Sequence, residues 1–75
     1  MDKKDKLFSI IVQETGFSNV LELSYSSSDV EGWDSISHLF IVARIEEEFG
    51  KNFTVKEIES WKTISDILNS INGGS

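Results

Sequence analysis

Ile64, Ile67, Leu68 and Ile71 fall at i, i+3, i+4 and i+7, the spacing of one buried stripe on an α-helix. The same period recurs upstream and dictates what the chain can become. Leu7, Phe8, Ile10, Ile11 and Val12 follow a Lys/Asp-rich start and run up to Gly16, a residue type favoured just past a helix end. A second helix is predicted from Asp34 or Ser35 to Phe49, closed by Gly50. Thr54-Val55-Lys56-Glu57 and Thr63-Ile64-Ser65-Asp66 are capping sequences, in which a Thr hydroxyl and an acidic side chain three residues on satisfy opposing backbone amides. The former opens a short helix to about Trp61, the latter the closing helix. No segment reads as a strand. The expected fold is all-α: a small four-helix bundle of three main helices and one short one.

A long loop, Thr15 to Asp34, joins the first two helices. Compact domains rarely keep so long a connection unless it is functional or packed down by its own side chains. Phe17, Val20, Leu21, Leu23, Tyr25, Val30 and Trp33 are the candidates for that packing. With 75 residues, the chain has room for a single domain, folded over about 3–71, and residues 72–75 read as a frayed or added tail.

Thirteen acidic side chains against seven basic ones give a formal net charge of −6. Residues 26–50 hold six acids and one base, so −5 of that charge sits in the middle third. Nucleic acid and anionic membrane surfaces, both of which need Lys and Arg, are poor partners for such a chain; a basic protein partner would be drawn to its middle. No apolar run approaches the ~18 residues of a membrane span, and the start Met1-Asp2-Lys3-Lys4-Asp5-Lys6 lacks a secretory signal. A cytoplasmic monomer is expected. There is no cysteine, hence no disulfide, no thiolate metal site and no thiol nucleophile in the polypeptide. Any thiol chemistry must come from an added group.

The segment Glu31-Gly32-Trp33-Asp34-Ser35-Ile36 closes the loop and opens the acidic helix. Ser35 therefore stands at a helix N-terminus, where free amides and the positive end of the macrodipole favour a phosphate. Helix capping by Asp34 or Ser35 is the plainer use of the same residues. Advancing about 100° per residue along this helix places its apolar side chains in two arcs. Ile41, Val42, Ile45 and Phe49 form one, while Ile36, Leu39, Phe40 and Ala43 form another beside Ser35, rimmed by Glu46 and Glu47. A small bundle buries one stripe, so the first arc is expected in the core and the second exposed as a partner surface, unless the long loop folds over it. His38, the sole histidine, falls toward the core arc. A Ser35–His38 hydrolytic dyad lacks a nucleophile elbow and an oxyanion glycine. Asp29 to Asp34 does not fit a calcium loop, and no metal-ligand spacing is present.

Gly-Trp-Asp-Ser-Ile at 32–36, the helix ending Glu46-Glu47-Glu48-Phe49-Gly50, the Thr-capped short helix and the closing amphipathic helix together resemble the acyl carrier protein family over about residues 3–71. The resemblance implies a non-catalytic carrier. Ser35 would bear a 4′-phosphopantetheine arm drawn from coenzyme A and joined by a phosphodiester, whose thiol holds an acyl group as a thioester. Asp34 would assist the phosphopantetheinyl transferase and its metal. Acyl-loading, acyl-modifying and acyl-transferring enzymes would be the other partners. Ser37 and Phe40 stand where carriers of fatty acid synthesis commonly have acidic side chains. That departure suggests a specialised lipid, polyketide or related pathway rather than housekeeping fatty acid synthesis. An aminoacyl or peptidyl carrier and an unmodified helical interaction module remain alternatives.

Overall fold

The computed structural model describes residues 2–73. Four α-helices follow in order: α1 over Lys3–Thr15, α2 over Ser35–Phe49, α3 over Val55–Ser60 and α4 over Ile64–Ile71. A single 3₁₀ turn, Ser27–Asp29, interrupts the long loop. No strand occurs among the described residues.

Each helix boundary has a local chemical cause. The Asp2 carboxylate accepts the Asp5 amide at 2.8 Å and starts α1. Gly16, at φ 74°, turns the chain out of it; that left-handed conformation is one glycine adopts without the Cβ penalty. Gly50 does the same for α2 at φ 63°. Thr54 with Glu57 and Thr63 with Asp66 form reciprocal capping boxes at α3 and α4. Asn72 and Gly73 still bond back to Leu68 and Ser70, so α4 is followed by an ordered turn rather than an immediate frayed end. The remainder of the expected tail, Gly74 and Ser75, lies outside the described residues.

The core is aliphatic. Leu7, Ile10 and Ile11 of α1 meet Ile41 and Ile45 of α2 and Ile64, Ile67 and Ile71 of α4, with Leu21 and Val30 inserted from the loop. Enclosing one such side chain contributes about 1.5–3 kcal/mol. Phe8, Phe17, Leu23, Tyr25, Trp33, Phe49, Phe53, Trp61 and Leu68 pack around it half-buried. Val20, expected to help pin the loop, is instead 82% exposed. Its neighbour Leu21 takes the inward place, and the two cannot both point in along an extended stretch. Val12 also turns outward on α1.

Backbone bonds hold the loop where side chains alone would not. The first two amides of α4, on Ile64 and Ser65, donate to the carbonyls of Tyr25 and Leu23, each at 2.9 Å. Those amides have no partner inside their own helix, so loop and α4 satisfy one another. At the loop's end Gly32 sits at φ 90° against the end of α1, where a Cβ would collide with the Thr15 carbonyl oxygen. That close approach fixes where Trp33, Asp34 and Ser35 enter α2. Arg44 Nη1 and Glu14 Oε2, 3.0 Å apart, tie α2 to α1.

Candidate functional site

Ser35 is the first residue of α2 and is exposed. The capping function belongs to Asp34, whose carboxylate accepts the Ser37 amide at 2.8 Å while its own carbonyl accepts from the His38 amide at 2.9 Å. Ser37 in turn donates its hydroxyl to the Gly32 carbonyl at 2.9 Å, locking the turn on the other side. Ser35 is thus held in register by both neighbours and is not the residue that caps the helix. Hydrogen bonding from the Ser37 amide, then from its hydroxyl, holds the Asp34 carboxyl below the usual carboxylate range. Asp34 is therefore an anion at neutral pH, immediately beside Ser35.

A second arrangement lies next to the serine that spacing alone did not reveal. Trp33 donates its indole N–H to His38 Nδ1 at 3.1 Å, and the two rings stack with centroids 6.1 Å apart and planes 29° from parallel. Because Nδ1 accepts, the neutral imidazole carries its proton on Nε2. His38 is half-buried, as its place toward the core arc implied, and desolvation lowers its pKa below 6.5. Trp61 faces the pair from the turn between α3 and α4. It is fixed by its own indole N–H to Ser70 Oγ at 2.8 Å and by an edge-on contact with Phe53, centroids 5.1 Å apart.

These residues enclose an open cleft of about 430 Å³ lined by Ser27, Trp33, Asp34, Ser35, His38 and Trp61. A much smaller hollow of about 40 Å³ shares its aromatic wall and reaches Ile64 and Ile67. Trp33 was anticipated only as loop packing and Trp61 only as core. A tryptophan five residues before a histidine, across a helix start, belongs to neither helical nor strand periodicity, so no pattern signalled the pair.

The other side of α2 carries the apolar residues singled out from the helical wheel. Ile36, Leu39 and Phe40 are 66%, 69% and 57% exposed, and Ala43 is exposed beside them. The long loop does not cover them. Of the expected acidic rim, Glu47 is exposed, but Glu46 is half-buried and accepts the Phe53 amide at 2.9 Å. It joins α2 to the start of α3. Ser35 and His38 line one cleft, yet the imidazole nitrogen Nδ1 is taken by an indole rather than by an orienting carboxylate. Among the described residues no cluster of His, Asp and Glu converges as a metal site, and no helix is long and apolar enough to cross a membrane.

A helical bundle that presents an Asp-Ser pair at the exposed start of its second helix, after a long packed loop, is the architecture of a small carrier domain. No family model matches the chain, and no solved structure matches it. Sequence relatives do. The chain is 36% identical to the acyl carrier protein of Renibacterium salmoninarum over 66 residues, covering 87% of this chain and 82% of that protein. The acyl carrier proteins of an Arthrobacter species and of Paenarthrobacter aurescens are each 35% identical over the same shares. The chain belongs to the acyl carrier protein family.

Proposed function

We propose that this protein carries an activated acyl group on a 4′-phosphopantetheine arm attached to Ser35. One observation carries the assignment: Ser35 is exposed at the positive end of a 15-residue helix while Asp34, not Ser35, makes the cap bond. The hydroxyl is left for chemistry, and a cleft opens alongside it. These residues fit the group. The helix N-terminus favours a phosphodiester anion, and the anionic Asp34 calls for a divalent cation when the phosphate arrives, in keeping with a metal-dependent transferase.

In the modification a bond forms between Ser35 Oγ and the phosphorus next to pantetheine. The pyrophosphate P–O bond of coenzyme A breaks, the adenosine bisphosphate half leaves, and the hydroxyl proton passes to the transferase or solvent. Once attached, the arm supplies the thiol that the chain lacks. The chain itself is then a substrate presented to other enzymes rather than a catalyst.

Ile36, Leu39, Phe40 and Ala43, with Glu47 at the edge, form the face we assign to those enzymes, since exposed apolar patches mark partner sites. With Asp34 capping the helix, Glu46 bonded to Phe53 and Glu48 within 3.9 Å of Lys6, little unengaged charge surrounds this face. That supports an apolar mode of recognition and a specialised lipid, polyketide or related pathway.

The test is intact mass. Incubated with coenzyme A, Mg²⁺ and a broad-specificity phosphopantetheinyl transferase, the protein gains one arm and Ser35→Ala gains none. Unchanged wild-type mass beside a modified control carrier overturns the carrier reading, and modification of the alanine variant overturns the choice of serine. Ser35→Ala stays folded, within about 0.5 kcal/mol of wild type, because the cap is elsewhere.

A further inference from the structure

We propose that the cleft walled by Trp33, His38 and Trp61 is the resting seat of the arm, which folds back between the two indoles instead of standing in solvent. The inference rests on the carrier reading of Ser35 and adds a place for what Ser35 bears. Position comes first: Ser35 itself lines the cleft, so a group joined to its oxygen begins inside it. Size agrees, since about 430 Å³ is within the ~300–1,000 Å³ of small-molecule sites.

The chemistry of the walls matches as well. Pantetheine alternates a geminal dimethyl group and methylenes with a hydroxyl and two amides, so it needs apolar faces interleaved with hydrogen-bonding groups. The cleft offers indole faces from Trp33 and Trp61 together with the Ser27 hydroxyl and the imidazole of His38. With Nδ1 engaged by Trp33, that imidazole has an N–H on Nε2 to donate to an amide carbonyl.

The walls are also built before anything arrives. Trp33 is held by His38, and Trp61 by Ser70 and Phe53. Large side chains already immobilised lose little further freedom on binding. The inner hollow of about 40 Å³ is too small to take the arm, so the seat is the outer cleft.

Trp33 and Trp61 are the chain's two tryptophans, so every indole signal reports on this cleft. The experiment compares unmodified protein with protein bearing one arm by mass, in tryptophan fluorescence quenching by acrylamide and in nuclear Overhauser contacts. We expect a loss of quencher access on attachment, and contacts from the geminal methyl protons to both indole rings. Ser35→Ala taken through the same incubation shows neither. An arm attached with no contact to either ring and unchanged quenching overturns the seat while leaving the carrier reading intact. Contacts to Ile36 or Phe40 instead place the arm on the other side of α2 and overturn the seat in the same way. If no arm attaches, both readings fall together. The contacts are read in the wild-type chain, so a poorly folding tryptophan variant cannot obscure the result.

Discussion

Ile45 and Phe40 lie on one helix, both strongly apolar, yet Ile45 is fully enclosed and Phe40 is 57% exposed. The core arc of α2 meets α1 and α4, and the arc of Ile36, Leu39 and Phe40 meets nothing in this chain. Residue type therefore does not separate the two arcs; direction does. α2 is committed to the interior along one stripe and left apolar along a second, where polar side chains would have served stability equally well. An apolar face kept on the outside points to a contact made with another molecule. The two arcs should consequently answer differently to the same kind of mutation.

The largest effect is expected in the enclosed arc. Ile45→Ala removes a side chain with no exposed surface and should destabilise the protein by about 2–5 kcal/mol, through lost burial and the cavity left behind. Denaturant titration checks it. A loss below about 0.5 kcal/mol, the surface range, would erase the distinction between the arcs.

Next comes the junction that orients both arcs. Gly32→Ala forces a side chain into a backbone at φ 90° and against the Thr15 carbonyl oxygen. Strain of this kind costs about 1–3 kcal/mol. The variant should unfold at lower denaturant and, by shifting the entry into α2, accept the arm more slowly. Slow modification without lost stability would show that Gly32 is read by the transferase and does not serve packing.

Legibility followed the range of the interactions. The ends of α1 to α4 rest on contacts a few residues apart, such as Thr54 with Glu57, Thr63 with Asp66 and the glycines at 16 and 50, so they could be read directly. Both arcs of α2 followed from rotation per residue. The loop could not be read this way. Which of Val20 and Leu21 turns inward depends on Tyr25 and Leu23 docking onto the first amides of α4, some 40 residues away. Glu46 looked like surface charge until its bond to the Phe53 amide was seen. The Asp-Ser pair was visible as a site, whereas the Trp33–His38–Trp61 cleft beside it joins loop, α2 and the α3–α4 turn and has no sequence period.

A smaller effect separates the inward side of α2 by pH. Burial lowers the pKa of His38 below its ordinary 6.5, and protonating Nδ1 would also break the bond from Trp33. A depressed folded-state pKa contributes stability that is present above the unfolded value of ~6.5 and lost as pH falls through the folded value, because the unfolded chain binds the proton first. Lys62 across the cleft wall opposes protonation, while Asp34 on the near side favours it. Unfolding free energy should therefore decline as pH drops from 7 toward 5, and His38→Gln should remove that decline. The contributions of Asp34 and Asp66, whose pKa values lie below 3.8, are lost only in more acidic solution. A normal or raised His38 pKa by NMR titration would contradict the inward placement.

The smallest effect on stability belongs to the exposed arc. Phe40→Ala should leave unfolding free energy within about 0.5 kcal/mol of wild type, as surface substitutions usually do. The same change should weaken binding to an acyl-handling partner by about 1 kcal/mol or more, the loss expected of an aromatic anchor. Glu47→Lys should leave stability alone, slow association with a basic partner and flatten its salt dependence, since rim charges act chiefly on the on-rate. With so few unengaged carboxylates near the face, the Glu47 effect should be the weaker of the two. Binding kinetics at two salt concentrations rank them. If charge reversal at Glu47 outweighs truncation at Phe40, recognition is electrostatic, and the apolar arc is not what the partner reads. If instead Phe40→Ala destabilises as much as Ile45→Ala, both arcs of α2 are structural, and the docking face must be sought elsewhere on the molecule.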